Sequence, residues 1–212
     1  MHTFSRPFFL GVTAMAVIVV ISNILVQYLF GNWLTWAAFT YPLAFLVTDV
    51  VNRILGAKKA RQVVFVGFMV GVLCSLIASQ LVDTDGNTLT TLRIAIGSGT
   101  AFLVVQLVDI SIFNRLRKGV WWRAPLVSSF IGSILDAILF FSIAFSATFA
   151  FIDVSDPNSW ALEVVPLLGI GPILPLWVSL AVADFLVKIT IIILTLIPYR
   201  LLTTKYVSMF NQ

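Results

Sequence analysis

Residues 39–68 read FTYPLAFLVTDVVNRILGAKKARQVVFVGF, and this stretch determines the predicted architecture. An apolar segment that contains Asp49 near its end is followed closely by a second apolar segment. The short connection between them holds four basic residues, Arg53, Lys58, Lys59 and Arg61. Short connections rich in lysine and arginine remain in the cytoplasm. The stretch therefore predicts two membrane-spanning helices joined on the cytoplasmic side.

The composition of the whole chain supports a membrane protein. Of 212 residues, 60% are hydrophobic and only 10% are charged, which exceeds the apolar content of soluble domains. The net charge of +4 comes from basic residues in short connections, so the chain is not expected to bind nucleic acid. Cys74 is the single cysteine, which excludes a disulfide framework and a thiolate metal site. We expect no metal and no cofactor.

Apolar runs predict an all-α, polytopic membrane protein with six transmembrane helices. Residues 1–212 form one transmembrane domain in this interpretation, and both termini are cytoplasmic because basic and non-basic connections alternate. Acidic residues, including Asp83, Asp85 and Asp156, are expected in the outer connections. The sequence does not decide between a re-entrant and an interfacial path for residues 152–172. The predicted spans are 8–30, 34–55, 62–82, 92–113, 124–151 and 173–197.

Polar side chains inside these spans are the candidates for function, because a carboxylate near the middle of a bilayer costs about 3 kcal/mol. Asp136 lies near the middle of its span and shares a face with Ser128 and Gly132, so it should point into the bundle. It is the first choice for contact with a substrate. The full set of candidates is Asn23, Gln27, Asp49, Asp109, Asp136, Asp184 and Lys188.

Some of these residues have a simpler interpretation. Asp49 and Asp109 lie near the cytoplasmic ends of their spans, close to Arg53 and Arg115, so ion pairing near the membrane surface explains them as well as ligand contact does. Asp184 and Lys188 are one helical turn apart. An internal salt bridge that only stabilises the sixth helix is their alternative.

Catalytic motifs are missing from the sequence. The single histidine is His2, so neither a serine–histidine pair nor an HExxH zinc site is available. No phosphate-binding GxxxxGK[ST] loop is present. An aspartate pair for intramembrane proteolysis, Asp109 with Asp136, lacks a companion motif. We therefore expect no enzymatic activity.

Small residues recur at four-residue intervals in the third span, at Gly67, Gly71, Ser75 and Ser79. Such a face allows another helix to approach closely. It could support a homodimer as readily as packing within one chain.

Several segments taken together resemble the queuosine-precursor transporter family. They are SNILVQ at Ser22, VTDVVNRILGAKKAR at Val47, LVDISIFNRLR at Leu107, WWRAP at Trp121, SSFIGSILDAILFFSIAF at Ser128 and ADFLVKI at Ala183. The resemblance spans nearly the whole chain in order. It implies a multi-pass protein of the bacterial inner membrane that imports 7-cyano-7-deazaguanine or 7-aminomethyl-7-deazaguanine, precursors of queuosine in tRNA.

The candidate residues suit such a base. A guanine-like edge presents two adjacent N–H donors, which a carboxylate such as Asp136 accepts well. Asn23, Gln27 and Lys188 could contact the carbonyl and the ring nitrogen, and a cationic aminomethyl group could use Asp184 or Asp49. Phe39, Tyr41 and Phe140 are candidates for stacking. The alternative is a substrate-binding membrane subunit for a vitamin-like heterocycle that needs a separate energising ATPase.

Overall fold

A computed structural model of the chain describes residues 6–82, 86, 88–153 and 158–210, with side chains up to Lys205. Asp83, Asp85 and Asp156 lie outside these residues. The described part contains six helical spans long and apolar enough to cross a membrane, with the second span formed by two helices. The predicted all-α, six-span class is confirmed. The helices are α1 Arg6–Leu25, α2 Ala37–Thr40, α3 Leu43–Leu55, α4 Ala57–Ala78, α5 Leu92–Leu116, α6 Arg123–Phe145 and α7 Leu176–Phe210.

The connection between α3 and α4 is much shorter than the sequence suggested. Gly56 alone separates the two helices, and its φ of +84° lies in the region that favours glycine. Lys58, Lys59 and Arg61 therefore do not form a loop but occupy the first turns of α4. The chain can reverse within one residue because glycine has no Cβ to clash with the neighbouring backbone.

Two small hairpins lie at the other end of the bundle. β1 (Leu29–Phe30) pairs with β2 (Leu34–Thr35), and Gly31 supplies the turn with φ +66°. α1 consequently ends at Leu25, earlier than the predicted span 8–30. β3 (Val164–Pro166) pairs with β4 (Ile173–Pro175), and short 3-10 turns precede and connect these two strands.

The second hairpin is tied to the helices by hydrogen bonds. Leu176 N donates to Glu163 O at 2.8 Å, and Leu168 N donates to the Ser179 hydroxyl at 3.1 Å. Asn158 Nδ2 donates to Thr91 Oγ1, at the start of α5, at 3.3 Å. The polypeptide between α6 and α7 therefore packs across the end of the bundle.

The small-residue face of α4 packs within the chain. A Cβ on Gly67 would lie 2.6 Å from Met15 Cγ, and one on Gly71 would lie 3.6 Å from Val19 Cγ1. Both contacts are with α1. The sequence suggested either a homodimer contact or packing within one chain for this face, and Gly67 and Gly71 are used for packing within the chain. Met15 and Val19 are buried there, in the main apolar core.

Basic segments gather at one end of the bundle. Lys59 Nζ lies 4.7 Å from the ring centroid of Phe8 on α1, so the start of α1 meets the start of α4. Arg200 on α7 lies 4.7 Å from the Trp121 ring, which places the end of α7 against the connection between α5 and α6. α7 passes through Pro198 without ending there, unlike the predicted span 173–197. Large apolar side chains such as Leu73, Ile77 and Leu194 are exposed on the outside of the helices, as in a lipid-facing surface.

Candidate functional site

A cavity of about 560 Å³ lies in the half of the bundle opposite the basic end. Its walls come from the end of α1, the first hairpin, α2, and the adjoining halves of α5, α6 and α7. Exposed Gln27 and Leu29 line its rim, so the cavity reaches the surface at that end. Its size falls within the range of small-molecule sites, about 300 to 1,000 Å³.

Three charged side chains from two helices meet at the cavity. Lys188 Nζ on α7 hydrogen-bonds to Asp136 Oδ2 on α6 and forms an ion pair with Asp184 Oδ2, one turn away on α7. Asp136 and Lys188 are 6% and 4% exposed. We call these three residues the outer cluster. The predicted Asp184–Lys188 contact exists, but it is part of a larger arrangement that reaches α6.

The outer cluster combines two carboxylates with one ammonium group, so in the fully ionised state one negative charge is left over. Removing charges from water is costly, and a single cation only partly offsets the cost of two anions. Lys188 Nζ also lies 6.0 Å from the centroid of the Tyr41 ring. Tyr41 lies in the break between α2, which ends at Thr40, and Pro42, the residue that precedes α3. The cluster thus presents both acceptors and a donor beside an aromatic face.

Asn23 and Gln27 line the same cavity on the α1 side. Asn23 Nδ2 donates to Val19 O at 2.8 Å, and Gln27 Nε2 donates to Leu89 O at 3.3 Å. Gln27 lies at the exposed rim, whereas Asn23 is half-buried. The structure therefore brings five of the predicted site residues to one cavity: Asn23, Gln27, Asp136, Asp184 and Lys188.

Aromatic side chains form much of the cavity wall. Tyr41 and Phe140, both predicted for stacking, are among them, but Phe39 packs on Phe30 at a centroid distance of 5.0 Å and does not line the cavity. Sequence reasoning missed Trp160 and Ser98, which line it too. Ser98 stands in the small-residue run GSGT, which was a usable signal. Trp160 belongs to the segment between α6 and α7, whose path no sequence pattern defined.

Asp49 and Asp109 do not line the cavity. They lie nearer the basic end, 3% and 0% exposed, and both face the Ser129 hydroxyl on α6. Ser129 Oγ is 3.3 Å from Asp49 Oδ2 and 3.4 Å from Asp109 Oδ1. We call Asp49, Asp109 and Ser129 the inner cluster. The second oxygen of each carboxyl group, Asp49 Oδ1 and Asp109 Oδ2, is buried without a hydrogen-bond partner among the described residues.

The basic residue next to the inner cluster is engaged elsewhere. Arg53 Nη1 donates to the main-chain carbonyl of Arg117, and Arg117 Nη2 donates to the carbonyl of Arg53 at 3.1 Å. Within the part of the chain that the structure describes, neither Asp49 nor Asp109 forms an ion pair. The interpretation of these aspartates as surface ion pairs is therefore wrong, because Arg53 bonds to the end of α5 instead and Arg115 forms no ion pair with either aspartate among the described residues.

A hydrogen bond separates the two clusters. Thr48 Oγ1 on α3 donates to Gln106 Oε1 on α5 at 2.7 Å, and both residues are fully or almost fully buried. Asn52 Nδ2 adds a 3.3 Å bond to Ile110 O. These contacts tie α3 to α5 below the cavity.

Three known proteins with sequences similar to this chain carry the name of a transporter. The chain is 41% identical to a probable queuosine precursor transporter of Haemophilus influenzae over 52% of each chain. It is 32% identical to the queuosine precursor transporter of Escherichia coli, covering 84% of this chain and 77% of that protein. A probable queuosine precursor transporter of Bacillus subtilis is 26% identical over 84% of this chain and 75% of its own length. No solved structure matches the chain.

Residues 35–202 match the sequence pattern of the family described as "putative vitamin uptake transporter". The matched range includes α2 to α6, most of α7 and both clusters, and it leaves out α1, β1 and the last residues of α7. The six apolar spans and the cavity inside them are what a small-molecule transporter requires. The chain is therefore a multi-pass membrane protein, and it belongs to this family of transporters.

Proposed function

We propose that the protein imports queuosine precursors, 7-cyano-7-deazaguanine, 7-aminomethyl-7-deazaguanine or both, across the bacterial inner membrane for salvage into tRNA. The names of the three relatives support this substrate class. The proposal involves no catalytic step and no cofactor. It assigns the chain to transport alone.

The observation that carries the proposal is the outer cluster beside an aromatic wall. The carboxylate of Asp136 or Asp184 would accept the two adjacent N–H groups of a guanine-like edge, and Lys188 would donate to its carbonyl. Tyr41 and Phe140 offer faces on which the flat ring can stack. An aminomethyl group would meet the excess negative charge of the cluster.

The orientation in the membrane follows from the basic end. Lys58, Lys59 and Arg61 begin α4, and further basic residues lie between α5 and α6 and near the end of α7. By the positive-inside rule this end faces the cytoplasm, which places both termini inside and opens the cavity to the periplasm. The substrate would then enter the cavity from outside.

Cysteine labelling in intact cells tests this orientation. In a Cys74→Ala background, a cysteine at exposed Glu163 should react with an impermeant thiol reagent, and one at exposed Lys118 should not. Both should react after the cells are opened. Labelling of position 118 in intact cells would reverse the assigned orientation.

Uptake in cells that cannot make 7-deazaguanines tests the function. Cells supplied with either base should regain queuosine in tRNA only when the protein is present. A full-length variant carrying Asp136→Asn, matched by Glu163→Gln as an exposed carboxyl control, should separate substrate recognition from membrane insertion. Failure of the wild type to restore queuosine despite verified insertion would rule out this substrate class.

Reconstitution then separates the transporter from the alternative of a binding subunit that depends on an ATPase. Purified protein in proteoliposomes should exchange external labelled base for unlabelled base inside, with no other protein present. Binding without exchange would favour the alternative.

A further inference from the structure

The inner cluster is a second buried acidic site that the proposed substrate site does not use. Two carboxyl groups, Asp49 and Asp109, face one hydroxyl inside the membrane-spanning bundle without a bonded cation among the described residues. Two carboxylates at such close range repel each other, and burial makes the repulsion costly. A single proton shared between them removes one of the two charges and allows one carboxyl to donate to the other.

A separate observation points to something bound beside this pair. The Tyr199 hydroxyl on α7 is buried, 2% of the residue is exposed, and the hydroxyl has no hydrogen-bond partner among the described residues. Tyr199, Asp49 and Ser129 line one small void of about 10 Å³. That volume is close to the minimum for a single water molecule, and this void has polar groups to hold it. A bridging water would connect the carboxyl pair to Tyr199.

Among the described residues, no charged group on the elements packed against the pair forms an ion pair with either carboxyl group. Arg53 on α3 and Arg117 beyond α5 are bonded to each other's carbonyls. On α6, Asp136 is bonded to Lys188 of α7, which also pairs with Asp184. α1 carries no charged residue after Arg6, and α4 carries none after Arg61, with Cys74 as its remaining titratable group.

Polar side chains on α6 connect the pair to the cavity. Ser129, Ser133 and Asp136 follow each other at spacings of four and three residues and so share one helix face. Ser133 is fully buried, and its hydroxyl lacks a partner in the described part of the structure. From Ser129 to Asp136 the helix rises by about 10 Å. The inner cluster thus lies between the cavity and the basic end. The Ser133 hydroxyl is the polar group toward the cavity, and the Tyr199 hydroxyl is the polar group toward the basic end.

We propose that Asp49 and Asp109 form a proton-binding site that couples substrate import to proton entry. This inference rests on the proposed function, because coupling requires a transported substrate. One proton from the cavity side would protonate the carboxylate pair, and the same proton would leave past Tyr199 toward the cytoplasm after the substrate is released. No other reactant is consumed. Substrate and proton would occupy different sites, the outer and the inner cluster.

The test uses the full chain in proteoliposomes with the membrane potential clamped at zero. With the interior one pH unit more alkaline, a one-to-one symporter should accumulate labelled 7-deazaguanine up to about ten-fold, and a trapped pH dye should report proton entry with it. Asp109→Asn should abolish the accumulation and the proton signal while it preserves exchange of labelled for unlabelled substrate at equal pH. Glu163→Gln, at an exposed outer carboxyl, should behave as the wild type.

The outcomes are distinguishable. If the wild type exchanges no 7-deazaguanine, the proposed function fails. If it exchanges substrate but a pH gradient drives no accumulation, or a sodium gradient drives it instead, the coupling proposal fails while the function stands. Retained accumulation in Asp109→Asn also overturns it. Should Asp109→Asn not fold, as judged by size-exclusion chromatography in detergent, Asp49→Asn serves as the second variant and the wild-type proton signal remains decisive.

Discussion

The two acidic clusters lie about 10 Å apart along α6, and they balance buried charge in different ways. In the outer cluster, Lys188 supplies a permanent cation to Asp136 and Asp184 beside a cavity. In the inner cluster, Asp49 and Asp109 both accept from the Ser129 hydroxyl, and among the described residues neither forms an ion pair. The first arrangement gives its carboxyl groups a cationic partner. The second favours a shared proton.

The difference indicates a division of tasks. Charged acceptors next to an open, aromatic cavity suit a ligand with N–H donors and a flat ring. A closed carboxyl pair with room for about one water suits nothing larger than a proton and its hydration. If this division is correct, substitutions in the two clusters should have different effects on binding, stability and coupling.

The largest effect is expected from Lys188→Met, which removes the only cation bonded to the outer cluster among the described residues. Two carboxylates would remain buried together, and loss of one partner from a buried ion pair costs about 3 to 5 kcal/mol. We expect the thermal midpoint of the purified protein to fall by roughly 10 °C, together with loss of uptake.

The matched control is Lys118→Met, because Lys118 is exposed at the basic end and should tolerate the change. Adding Asp184→Asn to Lys188→Met should recover part of the lost stability, since one of the two uncompensated charges is removed. Lys188→Met with an unchanged melting curve would show that the outer cluster is not charged as described.

A smaller effect is expected from Asp136→Asn, because Asp184 still pairs with Lys188 and the fold should persist. Loss of a charge-assisted contact costs about 1.5 to 3 kcal/mol, or roughly ten- to a hundredfold in apparent affinity. Binding of labelled 7-deazaguanine to the purified protein measures this change in affinity. The matched variant in the inner cluster is Asp109→Asn, which should change this affinity by no more than about two-fold. Equal losses of affinity in both variants would contradict the division of tasks.

The smallest effect is expected from Thr48→Val, between the clusters. The substitution removes the donor to Gln106 and leaves a buried amide oxygen without its partner, at a cost of about 1 to 3 kcal/mol in stability. Affinity for substrate should not change, because Thr48 does not line the cavity. Thermal unfolding and binding measured on the same sample would test both statements, with Thr190→Val, at an exposed site bonded to Leu186 O, as the control.

Much of the fold could be predicted because the bilayer imposes strong rules on sequence. A spanning helix needs a long apolar run, and all six runs are visible. The short elements were harder to predict. The single-residue joint at Gly56 depends on one left-handed backbone conformation, and the hairpin of β3 and β4 is held by contacts with α7 that no local pattern reports.

The site was predictable where polarity alone identified it. Asp136 could be identified because a carboxylate near the middle of a membrane span is energetically costly and usually has a function. Its partner Lys188 could not be assigned from spacing, since the contact depends on how α6 packs against α7. For Asp49, in contrast, the spacing in the sequence predicted a partner, Arg53, that the aspartate does not bind. Arg53 lies one helical turn from Asp49, but its guanidinium group donates a hydrogen bond to the main-chain carbonyl of Arg117 instead.

Because Gly56 alone connects α3 and α4, the effect of an inserted residue depends strongly on where in the chain it is placed. One extra residue there would turn α4 by about 100° relative to α3, because each helical residue advances by that angle. Gly67 would rotate away from Met15, and bulkier side chains would take its place against α1. At the opposite end, the connection after Ala78 runs to Leu92 and can absorb added length. Epitope tags and fused domains should therefore be tolerated between α4 and α5 and rejected between α3 and α4.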